Sequence, residues 1–171
     1  MTTKPRTTID AGHQPPLVYS RTEMTSQSLH AHLVLASRFE NIEVAERALR
    51  DLCGEIGCDG DDLYWVVTAL REALANAVRH GNRSEPERKV LVDYTVDPAT
   101  VTIQVEDEGN GFDPANIPDP TDPENLLRPS GRGIFYMQQF MNQVEFGEAP
   151  SGGTTVKMVK QLQPNTKESE E

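Results

Sequence analysis

The sequence is short of three things: cysteines, basic residues and long apolar runs. Its two cysteines, Cys53 and Cys58, have no cluster of histidines or further cysteines beside them. Two thiols are too few for a structural zinc site, so we interpret them as buried free thiols of a reducing compartment. No stretch approaches the roughly 18 apolar residues of a membrane-spanning helix, and no apolar run follows the N-terminal methionine. These absences predict a cytoplasmic protein without a membrane partner.

Acidic residues outnumber basic ones by 27 to 16, which gives a net charge of −11 at pH 7. Nucleic acids and anionic membrane surfaces would repel such a protein, so direct nucleic-acid binding is not expected. Simple solubility is the alternative explanation of this charge. With 171 residues, 36% of them hydrophobic, the chain is sufficient for one domain with a sizeable core.

The order of the predicted elements indicates an α+β fold in two layers. Apolar residues at helical spacing predict a helix after Asn41, a candidate N-cap, a longer helix from Asp59 to Gly81, and a short helix after Gly133. Because hairpins mix with clustered helices, we expect a mixed, mostly antiparallel sheet with helices on one face. Alternating or short apolar runs predict strands at 29–35, 90–96, 101–106, 144–146 and 154–159.

We expect one folded domain, residues 29–161, between two flanking segments. Residues 1–28 are rich in Thr, Pro, Ser and Gln and predict a flexible arm, whereas residues 162–171 form an acidic tail. Five prolines within residues 108–130 exclude a regular helix or central strand there. A loop of this length is often a functional lid, and a plain surface insertion is the alternative.

The longer predicted helix carries a polar stripe. Glu72, Asn76 and His80 are spaced i, i+4 and i+8, which places them on one face of an α-helix. An amide oxygen suits Mg²⁺, which binds oxygen ligands and keeps several waters. A carboxylate one turn away could accept a proton from a nucleophile near the metal. A merely solvated helix face is the alternative interpretation.

The strand over 101–106 runs into Asp107-Glu-Gly109-Asn-Gly111. If its alternation continues, Asp107 faces the core with Val105, where a buried carboxylate needs a donor such as the exocyclic amine of adenine. The two glycines allow close approach of another group. A tight turn without a ligand is the alternative.

A third segment, Ser130-Gly131-Arg132-Gly133, stands at the start of the short helix. Free N–H groups and the helix dipole make such a start a natural phosphate site, and Arg128 or Arg132 could add charge-assisted bonds. No strand directly precedes these glycines, so a dinucleotide-binding turn is not indicated. No Gly-Lys-Ser/Thr follows a glycine-rich stretch, so the segment is not a P-loop.

The last predicted strand begins after Gly152-Gly153. Thr154 shares a side with Val156 and Met158, so its hydroxyl is predicted to face inward and could help to bind a base. A threonine chosen only for its strand propensity is the alternative.

Taken in order, these segments resemble the four nucleotide-binding boxes of the GHKL ATPase superfamily. Residues 72–81, Glu-Ala-Leu-Ala-Asn-Ala-Val-Arg-His-Gly, resemble its N box, and residues 107–111 resemble its first glycine box. Gly131-Arg-Gly133-Ile and Gly153-Thr-Thr resemble the two later boxes, so the resemblance covers about residues 29–160. The His-Gly ending of the N box and the Ser-Gly-x-Gly-Ile-Phe segment most resemble the anti-sigma-factor serine kinases of the RsbW/SpoIIAB type.

The resemblance implies roles for particular residues. Glu72 would be the general base, Asn76 would hold Mg²⁺ between the phosphates of ATP, and Asp107 would bind adenine. Arg128 is the nearest match to the family's arginine at the γ-phosphate, and Arg132 is a competing candidate. Further nucleotide contacts would come from His80, Gly109, Gly111, Gly131, Arg132, Gly133 and Thr154.

The activity implied by the resemblance is an ATP- and Mg²⁺-dependent serine/threonine protein kinase. Its partners would be a small STAS-type anti-sigma-factor antagonist, which is phosphorylated, and a sigma factor, which is sequestered; a homodimer is one expected assembly. A histidine kinase would need a dimerisation helix pair that residues 1–28 are too short to supply. A non-catalytic ATP-binding module that only binds such partners stays open, although it would not need a base at Glu72.

Overall fold

The computed structural model describes residues 19–24, 28–111 and 132–163, which form a six-stranded sheet with three α-helices. In this part of the chain the strand order is β1-β2-β3-β4-β6-β5, and each neighbouring pair is antiparallel. The predicted α+β class is confirmed. The strands are β1 (Tyr19–Met24), β2 (Leu29–Ala36), β3 (Lys89–Val96), β4 (Thr100–Asp107), β5 (Gln143–Glu148) and β6 (Thr154–Gln161). The helices are α1 (Ile42–Ile56), α2 (Gly60–Asn76) and α3 (Arg132–Phe140).

The core lies between the sheet and helices that pack on one of its faces. Alternate residues of β3 and β4, such as Val92 and Ile103, are fully buried, as are Leu49 of α1 and Leu70 of α2. This alternation is what a sheet covered on one side produces. No helix in the described ranges has both the length and the apolarity that a membrane crossing requires.

Helix α1 is fixed to the sheet by polar contacts just before its start and in its first turn. Asn41 precedes the helix, but its side chain does not cap it; its Nδ2 donates to the carbonyl of Ala36 at 2.8 Å. The predicted N-cap is therefore right in position, but its side chain makes no capping hydrogen bond and its amide instead donates to the end of β2. The buried hydroxyl of Tyr94 donates to the carbonyl of Ala45 at 2.9 Å.

The two cysteines are free and buried, which confirms their interpretation from sequence. Cys58 follows the end of α1, and its N–H donates to the carbonyl of Cys53 at 3.0 Å. Burial, together with the neighbouring Cys58, raises the pKa of Cys53 to about 12, and burial also raises the pKa of Cys58. Both thiols stay protonated near neutral pH and serve as core residues.

The structure differs from the sequence prediction near the N-terminus. Part of the predicted flexible arm, Tyr19–Met24, is strand β1, which pairs with β2 so that Tyr19 lies opposite Val34. Backbone hydrogen bonds along the edge of β2 supply a stabilisation that side-chain periodicity does not reveal. Residues 1–18 of the arm and residues 164–171 of the acidic tail lie outside the described part of the chain.

Candidate functional site

Asp107 is the last residue of β4, and its side chain points into the core as the strand alternation predicts. It is 5% exposed, and its Oδ1 accepts hydrogen bonds from the N–H groups of Gly109 at 2.9 Å and Thr154 at 3.1 Å. No other hydrogen bond within the described ranges reaches this carboxylate. Oδ2 therefore retains acceptor capacity for a ligand.

The surroundings of Asp107 raise its pKa. Burial is the largest cause, and the hydrogen bonds from Thr154 and Gly109 and the positive charge of Arg88 act in the opposite direction. A desolvated carboxylate gains most from a donor that fills its open oxygen. The exocyclic amine of adenine is a donor of that kind.

Three glycines bring three chain segments into contact around Asp107. A Cβ at Gly81 would collide with the Asp107 carboxylate, and a Cβ at Gly153 would collide with the Asp107 backbone. A Cβ at Gly109 would collide with the carbonyl of Gly81. The segment after α2, the turn after β4 and the start of β6 can approach this closely only because these residues lack side chains.

A second cluster joins α2 to the first turn of α3. Glu72 and Asn76 are half-buried, and a Cβ on Gly133 would lie 2.5 Å from Glu72 Oε2 and 3.6 Å from Asn76 Nδ2. The structure thus brings together an acid, an amide and a helix start, as the sequence predicts. N–H groups at a helix start suit a phosphate, and an amide oxygen suits Mg²⁺.

The carboxylate of Glu72 forms no hydrogen bond with the neighbouring Arg71. Arg71, the adjacent residue, turns toward α1 and binds Glu46 through Nε at 2.5 Å and a second guanidinium nitrogen at 2.8 Å. Within residues 28–111 and 132–163, no hydrogen bond or ion pair holds Glu72. It can therefore accept a proton without first breaking an ion pair.

A widened turn, Ala77–Gly81, links the two clusters. It is π-helical, and the N–H of Asn82 donates to the carbonyl of Ala77 at 2.7 Å. Turns of this kind are frequent at functional sites, and they hold more residues than an α-turn. Although Asn76 and His80 are spaced i, i+4, this turn does not place His80 directly above Asn76. His80 is exposed. Even at the α-helical rise, the chain would advance only about 7.5 Å along the axis from Asn76 to Gly81, which is less than the length of a nucleotide.

Some of the remaining predicted residues lie at the rim of the site, and others lie outside the described residues. Gly111 adopts a left-handed φ of 74° beside a cavity of about 300 Å³. Arg132 is exposed at the start of α3. Arg128, Gly131 and the proline-rich segment lie outside the described residues, so their roles stay predictions. The cavity is lined by Asn110, Gly111, Gly147, Glu148, Gly152 and Gly153.

Thr154 meets Asp107 through its backbone. The N–H group makes the contact, whereas the prediction assigned the base-binding role to the side-chain hydroxyl. A backbone donor is present whatever residue occupies the position, so the identity of Thr154 is not explained by this contact. The role of the hydroxyl toward a ligand stays a prediction.

A larger cavity, of about 500 Å³, lies at the opposite end of α2 and shares no residue with the two clusters. Its Asp62 is occupied within the protein, since it accepts from the N–H of Gln163 at 3.0 Å and lies 3.6 Å from Lys160 Nζ. This cavity is not part of the candidate site.

Sequence reasoning missed Asn82. Its position after Gly81 indicates only a helix end, yet its side chain is fully buried and hydrogen-bonds to two distant backbone groups. The fold brings these partners to Asn82, so no local sequence pattern predicts them.

Comparison with known proteins agrees with this geometry. Residues 35–160 match the family described as Histidine kinase-like ATPase domain. The anti-sigma F factor of Oceanobacillus iheyensis is 35% identical over 133 residues, which are 76% of this chain and 90% of that protein. The anti-sigma F factor of Bacillus subtilis is 30% identical over 134 residues, 77% of this chain and 91% of that protein. An ATPase domain implies ATP as the ligand. The chain belongs to the histidine kinase-like ATPase family, as its GHKL motifs indicate.

Proposed function

We propose that this protein is an ATP- and Mg²⁺-dependent serine/threonine kinase that phosphorylates an anti-sigma-factor antagonist of the STAS type and also sequesters a sigma factor. The observation that carries the proposal is the carboxylate of Glu72, which lies with Asn76 beside Gly133 and has no hydrogen-bond or ion-pair partner within residues 28–111 and 132–163. The name of the relatives, anti-sigma F factor, supports the sigma-factor part.

The nucleotide would lie along the end of α2. Adenine would donate its amine to Oδ2 of Asp107, the carboxylate oxygen that no other described residue binds. The phosphates would then extend toward Gly133, where the start of α3 offers N–H groups. Arg132 lies at the same helix start and Arg128 precedes it in sequence; either would add a positive charge at the γ-phosphate.

The residues at the phosphate end fit Mg²⁺. Asn76 would hold the ion through its amide oxygen, and the remaining ligands would be phosphate oxygens and water, which is the usual pattern for Mg²⁺ at nucleotides. When bound, the ion neutralises charge on the phosphates.

Glu72 would act on the partner protein. Its carboxylate accepts the proton of a serine or threonine hydroxyl as the hydroxyl oxygen forms a bond to the γ-phosphorus and the bond to the β–γ bridging oxygen breaks. ADP leaves with the bridging oxygen. Phosphoryl transfer depends mainly on alignment and charge neutralisation, and the half-buried Glu72, which no other described residue binds, would orient the attacking hydroxyl.

The test is a transfer assay. The protein is incubated with ATP labelled at the γ-phosphate, Mg²⁺ and purified STAS-type proteins encoded near it, and label on serine or threonine is measured. We expect one antagonist to be labelled, and chelation of Mg²⁺ to stop the reaction. If ATP binds and an antagonist forms a stable complex yet receives no label, the protein is the non-catalytic binding module instead.

The metal role of Asn76 gives a separate prediction. Asn76→Ala is expected to weaken ATP binding about tenfold in the presence of Mg²⁺, equivalent to roughly 1.4 kcal/mol, and to change binding little in EDTA, because only the ion loses a ligand. Calorimetric titrations with and without Mg²⁺ measure both. Gln104→Ala is the control, because it removes an amide from the face of β4 opposite to Asp107. Equal Mg²⁺-dependence in Asn76→Ala and wild type would contradict this role.

A further inference from the structure

We propose that Asn82 is a positioning residue for adenine recognition: it fastens the turn that carries Asp107 to the end of α2. The proposal rests on the ATP-binding role of Asp107 but not on phosphoryl transfer. Asn82 lies next to Gly81, which borders Oδ2 of Asp107. Its own side chain points instead to the backbone beyond Asp107.

Asn82 is itself fully buried, and its hydrogen bonds connect three parts of the fold. Its Oδ1 accepts from the N–H of Glu108 at 2.9 Å, and its Nδ2 donates to the carbonyl of Lys89 at 2.8 Å. Its backbone N–H closes the π-helical turn on Ala77. The residue is 0% exposed, so water does not compete for its side-chain amide in the folded protein. One side chain therefore holds the end of α2, the start of β3 and the turn after β4 together.

Glu108, the residue after Asp107, is held at every polar group. Its N–H donates to Asn82, its carbonyl accepts from Arg88 at 2.5 Å, and its carboxylate accepts from the N–H of Lys89 at 2.7 Å. Because Lys89 is itself bound by Asn82, these contacts form one network. The main chain at Glu108 therefore cannot shift without moving the loop that follows α2.

The network sets the gap between Gly81 and Asp107. Gly81 and Asn82 are consecutive, and so are Asp107 and Glu108; the hydrogen bond between Asn82 and Glu108 therefore ties the two sides of the adenine site at a fixed separation. The approach is so close that a single methyl group at Gly81 would collide with the carboxylate. A shift of a fraction of an ångström there changes whether Oδ2 can meet an amine.

A matched pair of variants tests the proposal. Asn82→Ala removes both side-chain bonds at the site, whereas Asn41→Ala removes one side-chain bond of another buried asparagine, to Ala36, just before α1 and away from Asp107. The affinities of ATP and of purine riboside triphosphate, which lacks the 6-amino group, are measured for each variant by calorimetry. Unfolded protein lowers both apparent affinities by the same factor, so the ratio of the two reports on amine recognition alone.

We expect wild type and Asn41→Ala to prefer ATP over the analogue by at least tenfold, and Asn82→Ala to lose most of that preference. An unchanged preference in Asn82→Ala would overturn the proposal. If that variant does not fold, Asn82→Ser, whose single shorter hydroxyl cannot keep both hydrogen bonds, is measured against the same expectation of a reduced ratio. A wild-type protein that binds ATP and the analogue equally overturns the role of Asp107 and this proposal together. A wild-type protein that prefers ATP over the analogue but transfers no phosphate overturns only the proposed kinase activity.

Discussion

Glu72→Ala is expected to lower phosphoryl transfer by roughly 10²–10⁴-fold, the range for loss of a general base, while ATP affinity stays within about threefold of wild type. The carboxylate lies beside Gly133 and is engaged by no residue in the described ranges, so its removal disturbs no ion pair. It carries no positive charge for the phosphates, and binding does not depend on it. Single-turnover transfer of labelled phosphate and calorimetry separate the two quantities.

Two further variants sharpen this result. Glu72→Gln keeps the size of the side chain and should lose transfer as fully as the alanine variant. Glu55→Ala removes an exposed carboxylate near the end of α1 and should leave transfer unchanged. Wild-type transfer by Glu72→Ala would refute the assignment of the base.

Asp107→Asn is expected to weaken ATP binding about 100-fold, or roughly 2.7 kcal/mol. The amide can still accept from Gly109 and Thr154 through its oxygen, but it presents an N–H₂ group where the carboxylate presents Oδ2. Two donors, the amide and the adenine amine, would then face each other. Calorimetry measures the loss, and Asp51→Asn, an exposed change on α1, is the control. Undiminished affinity in Asp107→Asn would remove the adenine contact from the proposed site.

The same substitution is expected to stabilise the nucleotide-free protein. Burial raises the pKa of Asp107, so its contribution to stability is present in full below the unfolded pKa and is lost as pH rises through the folded pKa. At neutral pH the buried, ionised carboxylate lowers the free energy of unfolding, whereas the neutral side chain of asparagine does not. Thermal denaturation should show a higher Tm for Asp107→Asn at pH 7 and a smaller difference in acid. A lower Tm at pH 7 would contradict this account.

Much of the site follows from sequence because it lies on regular elements. The period of two along β4 predicts that Asp107 faces inward, and it is buried as expected. The period of 3.6 along α2 predicts that Glu72 and Asn76 share a face, and both lie against Gly133. In each case a local repeat determines the direction of the side chain, so tertiary structure adds only the partner.

The features that sequence could not predict depend on contacts between distant segments. Asn82 and Glu108 are 26 residues apart, and only the paired strands β3 and β4 bring them together. The π-helical turn that displaces His80 is closed by Asn82 and is not visible as a break in apolar periodicity. Asn41 illustrates the same limit, since its preferred acceptor belongs to the preceding strand.

Strand β1 changes which parts of the sheet another polypeptide can reach. β2 is paired along one side with β1 and along the other with β3, so all its outward backbone groups from Leu29 to Val34 are satisfied within the chain. A strand contributed from outside would have to add at β1 or β5, the two ends of the described sheet. Protein produced from residue 28 onward would expose β2 as an unpaired edge strand. Self-association measured with such a fragment would therefore result from the truncation.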